Sequence, residues 1–321
     1  MSQAVTVPDF AAVEAAAARI APYVQRTPVL RSRSLDALAG AQLWFKCENL
    51  QRAGAFKFRG ASNAVWALDA AVAARGVVTH SSGNHGAALA LAARARGIAA
   101  HIIVPEGAVA AKLAAIEVSG GTVHRCAPTL AAREAACEAV RAQTGATLVH
   151  PYTDPQVIAG QGTAALELLR EAGPLDVLVV PIGGGGLAAG TALAAHGIDP
   201  RIEVCAAEPS GADDAAQSLQ RGERIDALTP HTVCDGLRAL IGAIDFELLR
   251  AHRVQVTTVD DAATLAAMRL VWERLKLVVE PSSAIALAAV LARRDHYAGR
   301  RVGIILSGGN VDLQALFAGY D

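Results

Sequence analysis

Short uncharged runs of β-branched residues alternate with longer alanine-rich segments in this 321-residue chain, and this alternation constrains the fold most. The runs are residues 77–80, 101–105, 177–180, 202–206 and 302–306, and helical patterns follow at 86–96, 108–119 and 187–196. Strands that carry no charge on either face are buried on both faces, and helices between them act as crossovers in a parallel sheet. The sequence therefore predicts an α/β fold with parallel sheets.

The strand–helix series from residue 76 to residue 152 is self-contained. We therefore expect a small mobile domain at 76–152, inserted into a large domain formed by residues 1–75 and 153–321. The uncharged stretch 177–195 is long enough to suggest a membrane span, but Pro181 and four consecutive glycines interrupt it. A buried strand, a loop and a buried helix describe this stretch better.

Composition excludes several classes of protein. With 53% hydrophobic and 18% charged residues the chain is not disordered, and a net charge of -1 without a basic stripe argues against nucleic acid as a partner. The five cysteines show no CxxC spacing, and the N-terminus lacks the basic and apolar regions of a signal peptide. We expect a soluble cytoplasmic protein with no membrane partner. The sequence ends at Asp321, soon after its last motif, so feedback control by an end product is not expected.

Lys57 is one of only four lysines among 29 basic residues, and it lies in the segment GAFKFRG. A Schiff base requires an amine that can lose its proton, which lysine supplies and arginine does not. The apolar neighbours of Lys57 lower the cost of its neutral form. The local sequence is equally consistent with an ordinary buried lysine and with a catalytic one.

Three loops rich in glycine and serine follow predicted strands, at residues 81–86, 183–186 and 307–310. Open α/β sheets place ligands at such strand ends. The tetraglycine loop suits a phosphate, because its amides can converge on an anion at the start of a helix. The pattern Gly184-x-Gly186-x-x-Ala189, with Glu203 and Glu208 about 20 residues on, also matches the dinucleotide fingerprint. A nicotinamide-dependent oxidoreductase, and a purely structural glycine turn, remain alternatives for this loop.

The other two loops and one acidic turn allow two interpretations each. Ser81-Ser82-Gly83-Asn84 suits a bound carboxylate, although an ordinary helix N-cap has the same composition. Ser307 after a buried strand is otherwise a common turn residue. Glu208 and Asp214 flank a glycine-containing turn, where they could share a divalent cation with a backbone carbonyl, or form a solvated turn with an N-cap at Asp213.

Taken together, the segments GAFKFRG, HSSGNHG, GGGG, AAEPSGADD and LSGGNVD resemble, in order and spacing, the fold-type II pyridoxal-phosphate enzymes. Within these tryptophan synthase β-like proteins, the resemblance is to the serine racemase and serine/threonine dehydratase group. It runs from Arg26 to Asp312, which is most of the chain. The resemblance implies two parallel-sheet α/β domains with pyridoxal phosphate between them.

The resemblance also implies a role for each matched residue. Lys57 would carry the cofactor, with the other cofactor contacts from Phe56, Asn84, Gly183, Gly184, Gly185, Gly186, Gly236 and Ser307. The substrate carboxylate would be held by Ser81, Ser82, Asn84, His85 and Arg133. Mg²⁺, Ca²⁺ or Mn²⁺ would be bound by Glu208, Asp214 and the carbonyl of Ala212.

This family chemistry implies an ammonia-lyase that converts L-threonine or L-serine to a 2-keto acid, with Lys57 removing the Cα proton. A serine hydroxyl at the ring nitrogen, rather than a carboxylate, favours elimination of the β-hydroxyl. Ser82 keeps a serine racemase open, because in racemase relatives the second serine protonates the opposite face of Cα. Racemase relatives tend to have asparagine where this chain has Tyr152, and a small hydroxyl residue near the position of Ala239. These two departures leave the substrate side chain undecided, and a 3-hydroxyaspartate dehydratase is a further alternative.

Two hypotheses outside this chemistry remain, the nicotinamide-dependent oxidoreductase and a catalytically silent binding protein of the same fold. The resemblance implies a small-molecule amino-acid substrate and a homodimer.

Overall fold

The computed structural model describes residues 7–312, where it contains ten strands and fourteen α-helices. The strands are β1 Val29–Leu30, β2 Gln42–Cys47, β3 Val77–Thr79, β4 Ala100–Pro105, β5 Thr122–Cys126, β6 Thr147–Leu148, β7 Val177–Pro181, β8 Glu203–Pro209, β9 Gln255–Val259 and β10 Arg301–Leu306. The helices of the first half are α1 Phe10–Ile20, α2 Arg33–Ala39, α3 Lys57–Ala67, α4 Ala70–Ala73, α5 Asn84–Arg96, α6 Ala110–Val118 and α7 Leu130–Thr144. Those of the second half are α8 Pro155–Ala172, α9 Gly186–Ile198, α10 Asp214–Arg221, α11 Ala243–Ala251, α12 Asp261–Leu275, α13 Pro281–Ala292 and α14 Arg294–Tyr297.

These strands form two sheets. The larger has the order β1-β2-β10-β7-β8-β9, in which only β1 pairs antiparallel. The smaller has the order β5-β4-β3-β6 and is parallel throughout. All five runs predicted as strands are strands, with ends that move by up to three residues. The predicted α/β fold with two parallel-sheet units is confirmed.

Strand β7 shows why its sequence carries no charge. Val177 and Val179 point into a core shared with α12 and α13, whereas Leu178 and Val180 point into a core shared with α8 and α9. Both faces are therefore buried, as expected for a central strand between crossover helices. The uncharged stretch 177–195 is β7, a loop and most of α9, and no helix among residues 7–312 is long and apolar enough to cross a membrane.

The smaller sheet lies within the segment that the sequence singles out, since β3 to β6 span residues 77–148. One face packs against α5 and α3, and the other face packs against α7. Because α3 begins at Lys57, the core of the smaller sheet also takes Phe58 and Val65 from outside 76–152. The division into a large domain and a small mobile one stays a prediction.

Helix α3 packs against α8 through two glycines. A methyl group added at Gly160 would lie 2.6 Å from the Cα atom of Gly60, so the two helices approach backbone to backbone. Helix α8 starts at Pro155, where the Asp154 carboxylate accepts hydrogen bonds from the amides of Gln156 and Val157. This contact places the first turn of α3 in the interior of the molecule.

An ion network anchors the same turn. Arg59 is fully buried and donates to both carboxylate oxygens of Glu48 at 2.7 and 2.8 Å, and to both of Glu167 at 2.8 Å. Lys46, also fully buried, donates to Glu167 at 2.7 Å and to the Thr27 carbonyl at 2.6 Å. Removing one partner of a buried ion pair leaves the other charge desolvated and unpaired.

We therefore expect Glu48→Ala to lower the free energy of unfolding by about 3–5 kcal/mol, the usual cost of breaking a buried pair. Urea denaturation of the purified protein measures this cost. Glu138→Ala, which breaks an exposed pair with Arg141, is the control and should change stability by less than about 1 kcal/mol. Equal, small effects of both substitutions would contradict the anchoring role of Arg59.

Candidate active site

The carboxyl ends of β3, β7, β8 and β10 lead into the four polar segments that the sequence singles out. These segments are brought together. A methyl group added at Gly183 would lie 2.9 Å from the Cα of Leu237, beside Gly236, and one added at Gly308 would lie 2.7 Å from Glu280 Oε1. The Asn310 amide also donates to the Asn84 side-chain oxygen at 3.0 Å, which joins the loops after β10 and β3. The region bordered by these loops and Lys57 is called the cleft below.

Lys57 is the first residue of α3 and lies on the wall of this cleft, partly exposed. Its Nζ donates to the Pro151 carbonyl at 2.8 Å and lies 5.1 Å from the centroid of the Phe56 ring. Burial lowers the pKa of Lys57 to about 8, against the opposing effect of Asp245. A lysine amine of this kind can act as a nucleophile and as a base near neutral pH.

The glycine loop 183–186 leads into α9, and Asp245, which interacts electrostatically with Lys57, packs against Gly185 of this loop. Gly185 has φ +104°, a backbone conformation that favours glycine, and a methyl group at Gly184 would lie 2.4 Å from the Tyr152 ring. The N-cap of α9 is Gly185, which has no side chain to bond the amides of the first turn. The loop therefore presents free amides at a helix N-terminus, which suits an anion.

Ser307 follows β10 on the same side of the cleft as Phe56. The Phe56 amide donates to the Ser307 carbonyl at 2.9 Å, which ties the lysine segment to the end of β10. The Ser307 hydroxyl forms no hydrogen bond to any residue between 7 and 312. It is therefore available to a ligand.

Asn84, the first residue of α5, is held by two side chains that the sequence analysis missed. Its amide nitrogen donates to both carboxylate oxygens of Glu280 at 3.0 and 3.3 Å, and its oxygen accepts from Asn310 at 3.0 Å. Glu280 is 5% exposed, and burial raises its pKa to about 7. It is the N-cap of α13, directly before Pro281, where an acidic residue is unremarkable in the sequence. Only the fold brings it to Asn84.

The serine loop at the start of α5 does not cap the helix. The N-cap is Gly83, and the Ser81 and Ser82 hydroxyls form no hydrogen bonds within the described chain. The ordinary N-cap alternative is therefore wrong, and both hydroxyls are available. His85 is 1% exposed with its Nε2 3.3 Å from the Val149 carbonyl, and burial holds its pKa well below the usual value.

Arg133 and Tyr152 border the same side of the cleft. Arg133 lies in the first turn of α7, close enough to influence the titration of both Tyr152 and His80. Its guanidinium forms no ion pair or hydrogen bond with any of residues 7–312. Ala239, in the segment between the 3₁₀ helix Asp235–Leu237 and α11, is half-buried and brings no hydroxyl.

Glu208 and Asp214 lie close together at the start of α10. Glu208 is fully buried and accepts from the amides of Ala215 and Ala216 at 2.8 Å, and Asp214 accepts from the Ile241 amide at 2.7 Å. Burial raises their pKa values to about 8 and about 6. The solvated turn of the alternative interpretation is wrong, because these carboxyls and Ala212 are all buried, whereas its N-cap at Asp213 is confirmed. Two buried carboxyls beside a backbone carbonyl are a fitting donor set for a hard cation.

The dinucleotide-binding alternative for the glycine loop requires a free acidic residue about 20 residues further on, and the structure offers none at Glu203 or Glu208. Glu203 stands at the amino end of β8, far from the loop, and its carboxylate is taken by Arg300 at 2.8 Å and His296 at 2.9 Å. Glu208 is occupied as described above. Neither carboxylate is free to meet a ribose hydroxyl, as the fingerprint requires.

The other three lysines form ion pairs or end a helix. Lys46 belongs to the buried ion network, and Lys112 pairs with Asp235 at 2.5 Å. Lys276 ends α12 with φ +59°. Lys57 as the reactive amine stays a prediction.

Two largely parallel sheets, a lysine at the start of α3 and a glycine loop at the start of α9 match the features of a fold-type II pyridoxal-phosphate enzyme. The family model described as "Pyridoxal-phosphate dependent enzyme" matches residues 20–308, and the chain belongs to that family. The oxidoreductase hypothesis is thereby set aside.

Individual relatives narrow the class. The chain is 49% identical to a serine racemase of Oryza sativa subsp. indica, over 96% of this chain and 93% of the relative. It is 46% identical to a beta-hydroxyaspartate dehydratase of Paracoccus denitrificans, over 97% of this chain and 98% of the relative. The solved structure of maize serine racemase superposes with a TM-score of 0.95 at 47% identity, covering 98% of this chain and 97% of that one. The chain is thus similar to both racemases and ammonia-lyases.

Pyridoxal phosphate fits the residues of the cleft. The glycine loop has no room for side chains, the Ser307 hydroxyl has no partner among residues 7–312, and the Lys57 amine is accessible. Phosphate at the loop, ring nitrogen at Ser307 and aldehyde at Lys57 would use these three features together. The role of each residue remains a prediction.

If burial sets the basicity of Lys57, one lysine of the apoprotein should titrate with a pKa of about 8, below the ordinary lysine pKa of about 10.4. Because the pKa is lowered, this amine is mostly neutral at pH 9 while ordinary lysines are still charged. Reductive methylation with ¹³C-formaldehyde followed by NMR titration resolves it, and Lys57→Ala should remove the low-pKa signal. A titration midpoint above pH 10 for Lys57 would refute the assignment.

Proposed function

We propose that this protein is a pyridoxal-phosphate-dependent ammonia-lyase that eliminates water from a β-hydroxy amino acid, L-threonine or L-serine, to give a 2-keto acid and ammonia. The observation that carries the proposal is the Lys57 amine, which has a lowered pKa and interacts electrostatically with His85 of the serine loop and with Asp245 beside the glycine loop. The family membership and the relatives support the reaction class.

The cofactor, when bound, supplies the electron sink that makes the Cα proton of the substrate acidic. The residues of this chain bind, orient and move protons. The amides of 183–186 hold a phosphate at the start of α9, and the hydroxyls of Ser81 and Ser82 receive the substrate carboxylate. Lys57 Nζ takes the Cα proton, and its lowered pKa keeps the amine available as a base near neutral pH.

Ser307 bears on the choice of reaction. If Ser307 meets the ring nitrogen of the cofactor, its neutral hydroxyl would stabilise positive charge there less than a carboxylate would. This would favour loss of the β-hydroxyl. Glu280 bonds Asn84 rather than Ser307.

A second substrate has its own support. The unpaired Arg133 guanidinium borders the cleft beside Tyr152, and a side-chain carboxylate would pair with it. This favours 3-hydroxyaspartate, and the similarity to a beta-hydroxyaspartate dehydratase agrees.

Serine racemisation rests on Ser82. Its hydroxyl is free and stands on the serine loop, where it would return a proton to the face of Cα opposite Lys57. The similarity to serine racemases supports it.

A divalent cation at Glu208, Asp214 and the Ala212 carbonyl also belongs to this proposal, since two buried carboxyls close together need a counter-charge. On family resemblance we propose a homodimer, and on the five free cysteines a reducing cytoplasm. Light scattering of the purified protein tests the first.

The direct test is a substrate panel of L-serine, L-threonine and 3-hydroxyaspartate, read by keto-acid release. We expect a visible absorbance band from the bound cofactor, its covalent retention after borohydride reduction, and no turnover by Lys57→Ala. A colourless protein, or one whose Lys57→Ala variant keeps its activity, would overturn the proposal. Arg133→Met should weaken turnover of 3-hydroxyaspartate at least tenfold more than that of L-serine if Arg133 binds a side-chain carboxylate.

Chiral analysis of L-serine reactions separates elimination from racemisation. Ser82→Ala should abolish D-serine formation. It should weaken keto-acid release only as far as Ser81→Ala does, since each substitution removes one of the two hydroxyls that receive the substrate carboxylate. Ser81→Ala is the matched control and should affect both reactions alike. Equal loss of both reactions in Ser82→Ala would refute the assigned face.

Removal of divalent cations tests the acidic site. A cation at 100 times its dissociation constant stabilises the folded state by about 2.7 kcal/mol, so EDTA should lower the melting temperature and added Mg²⁺ or Ca²⁺ should restore it. Asp214→Asn should abolish that response. A melting temperature indifferent to chelator and cation would mean that the buried carboxyls stay protonated without a metal.

A further inference from the structure

Asp245 is a buried carboxyl that the proposed mechanism does not use. It is the third residue of α11 and is fully buried, and neither of its oxygens accepts a hydrogen bond within the described part of the chain. A carboxylate without donors is costly in such a place. Burial raises its pKa well above the ordinary value, with Lys57 opposing the shift. Such a carboxyl stays protonated unless a positive charge or a hydrogen-bond donor approaches it.

Its position is defined by two glycines. A methyl group at Gly185 would lie 2.5 Å from Asp245 Cβ, and one at Gly242 would lie 2.3 Å from Asp245 Oδ2. The Gly242 amide donates to the Gly184 carbonyl at 3.0 Å, which ties the start of α11 to the glycine loop. Glycine at both positions therefore leaves the space that this carboxyl occupies.

Two helix N-termini meet at the same point. Gly185 is the N-cap of α9 and Gly242 is the N-cap of α11, and neither has a side chain that could bond first-turn amides. The positive ends of both helices favour an anion there. The Asp245 carboxyl and any anion in the loop therefore share one region of positive potential.

Few titratable groups face this carboxyl. Lys57 at the start of α3 and the Tyr152 phenol before α8 both interact with it electrostatically, and Asp214 reaches the Ile241 amide from α10. The loop and the first turns of α9 carry no titratable side chain. On α11 itself, Glu247 and Arg250 pair with each other at the surface.

We propose that Asp245 makes anion binding in the glycine loop proton-linked: its carboxyl is protonated whenever the cofactor phosphate occupies residues 183–186. This inference rests on the proposed assignment of that loop as the phosphate site. A phosphate carries a charge of about -1.5 to -2 at pH 7. Beside it in a buried region, an ionised carboxylate is strongly disfavoured, so the phosphate stabilises the protonated acid.

The sign of the linkage follows. Phosphate binding raises the pKa of Asp245 further, so binding is tightest below the pKa of the free protein. It weakens as pH rises through that value, by up to tenfold per pH unit for one linked proton. In the bound state one proton is taken up from solution.

The test compares pyridoxal 5′-phosphate with pyridoxal, both binding to the full-length apoprotein between pH 7 and pH 9. Both probes react with Lys57, so the ratio of their dissociation constants isolates the phosphate. For the unmodified protein the phosphate advantage should fall as pH rises. Asp245→Asn and Asp245→Ser should abolish this fall, whereas Glu247→Gln, an exposed acid on the same helix, should keep it.

Calorimetry in two buffers of different ionisation enthalpy provides a readout that needs no variant. The unmodified protein should take up more protons with pyridoxal 5′-phosphate than with pyridoxal, with the excess approaching one at high pH. Equal affinity for both probes at every pH would refute the loop as a phosphate site. A phosphate advantage that does not fall with pH, or that falls equally in Asp245→Asn and Asp245→Ser, would leave the phosphate site standing and overturn the role of Asp245.

Discussion

The buried ion network of Arg59 is the interaction on which the position of the reactive amine depends. Arg59 stands two residues after Lys57 and joins Glu48, after β2, to Glu167 on α8. The three fully buried charged residues of this network, Lys46, Glu48 and Arg59, are stable there only because nearly every donor and acceptor is satisfied. A shift of the first turn of α3 would break several such bonds at once. The Lys57 amine is therefore directed at the Pro151 carbonyl by the core of the protein and not by a mobile loop.

The same burial supplies the chemistry. The pKa of Lys57 falls to about 8, while that of Glu280 rises to about 7 and that of Glu208 to about 8. Neutral forms are favoured in every case, because desolvation penalises the charged one. The charged forms of these groups would be stabilised by opposite charges close to them. A bound cofactor, substrate or cation would supply such charges.

Much of the cleft could be predicted from local sequence. The central strands can be recognised in the sequence because they carry no charge. The loops 183–186 and 307–310 follow two of these strands as glycine- and serine-rich turns. Parallel strands bring their carboxyl ends to one edge, so the convergence of these loops follows from the pattern. Lys57 stands out because arginine replaces lysine almost everywhere else.

Glu280 and Asp245 could not be predicted in the same way. Glu280 is the N-cap of α13 and Asp245 lies in the first turn of α11, and acids are common and uninformative at both places in a sequence. Their significance lies in contacts made over long separations, 196 residues between Glu280 and Asn84, and in burial that no local pattern reveals. Likewise, the sequence left Ser81 and Ser82 as ordinary helix caps or ligands, and only the N-cap at Gly83 decided for free hydroxyls.

The amino-acid sequence by itself determined the parallel α/β fold and the family, and it singled out Lys57 as the predicted reactive lysine, because periodicity, residue chemistry and motif order are local properties. The tertiary structure decided which carboxyls surround the cleft, that they are buried, and that Arg133 stands unpaired among the described residues beside it. It also showed that the smaller sheet draws part of its core from α3. These features depend on desolvation and on distances between remote segments, which arise only when the chain packs.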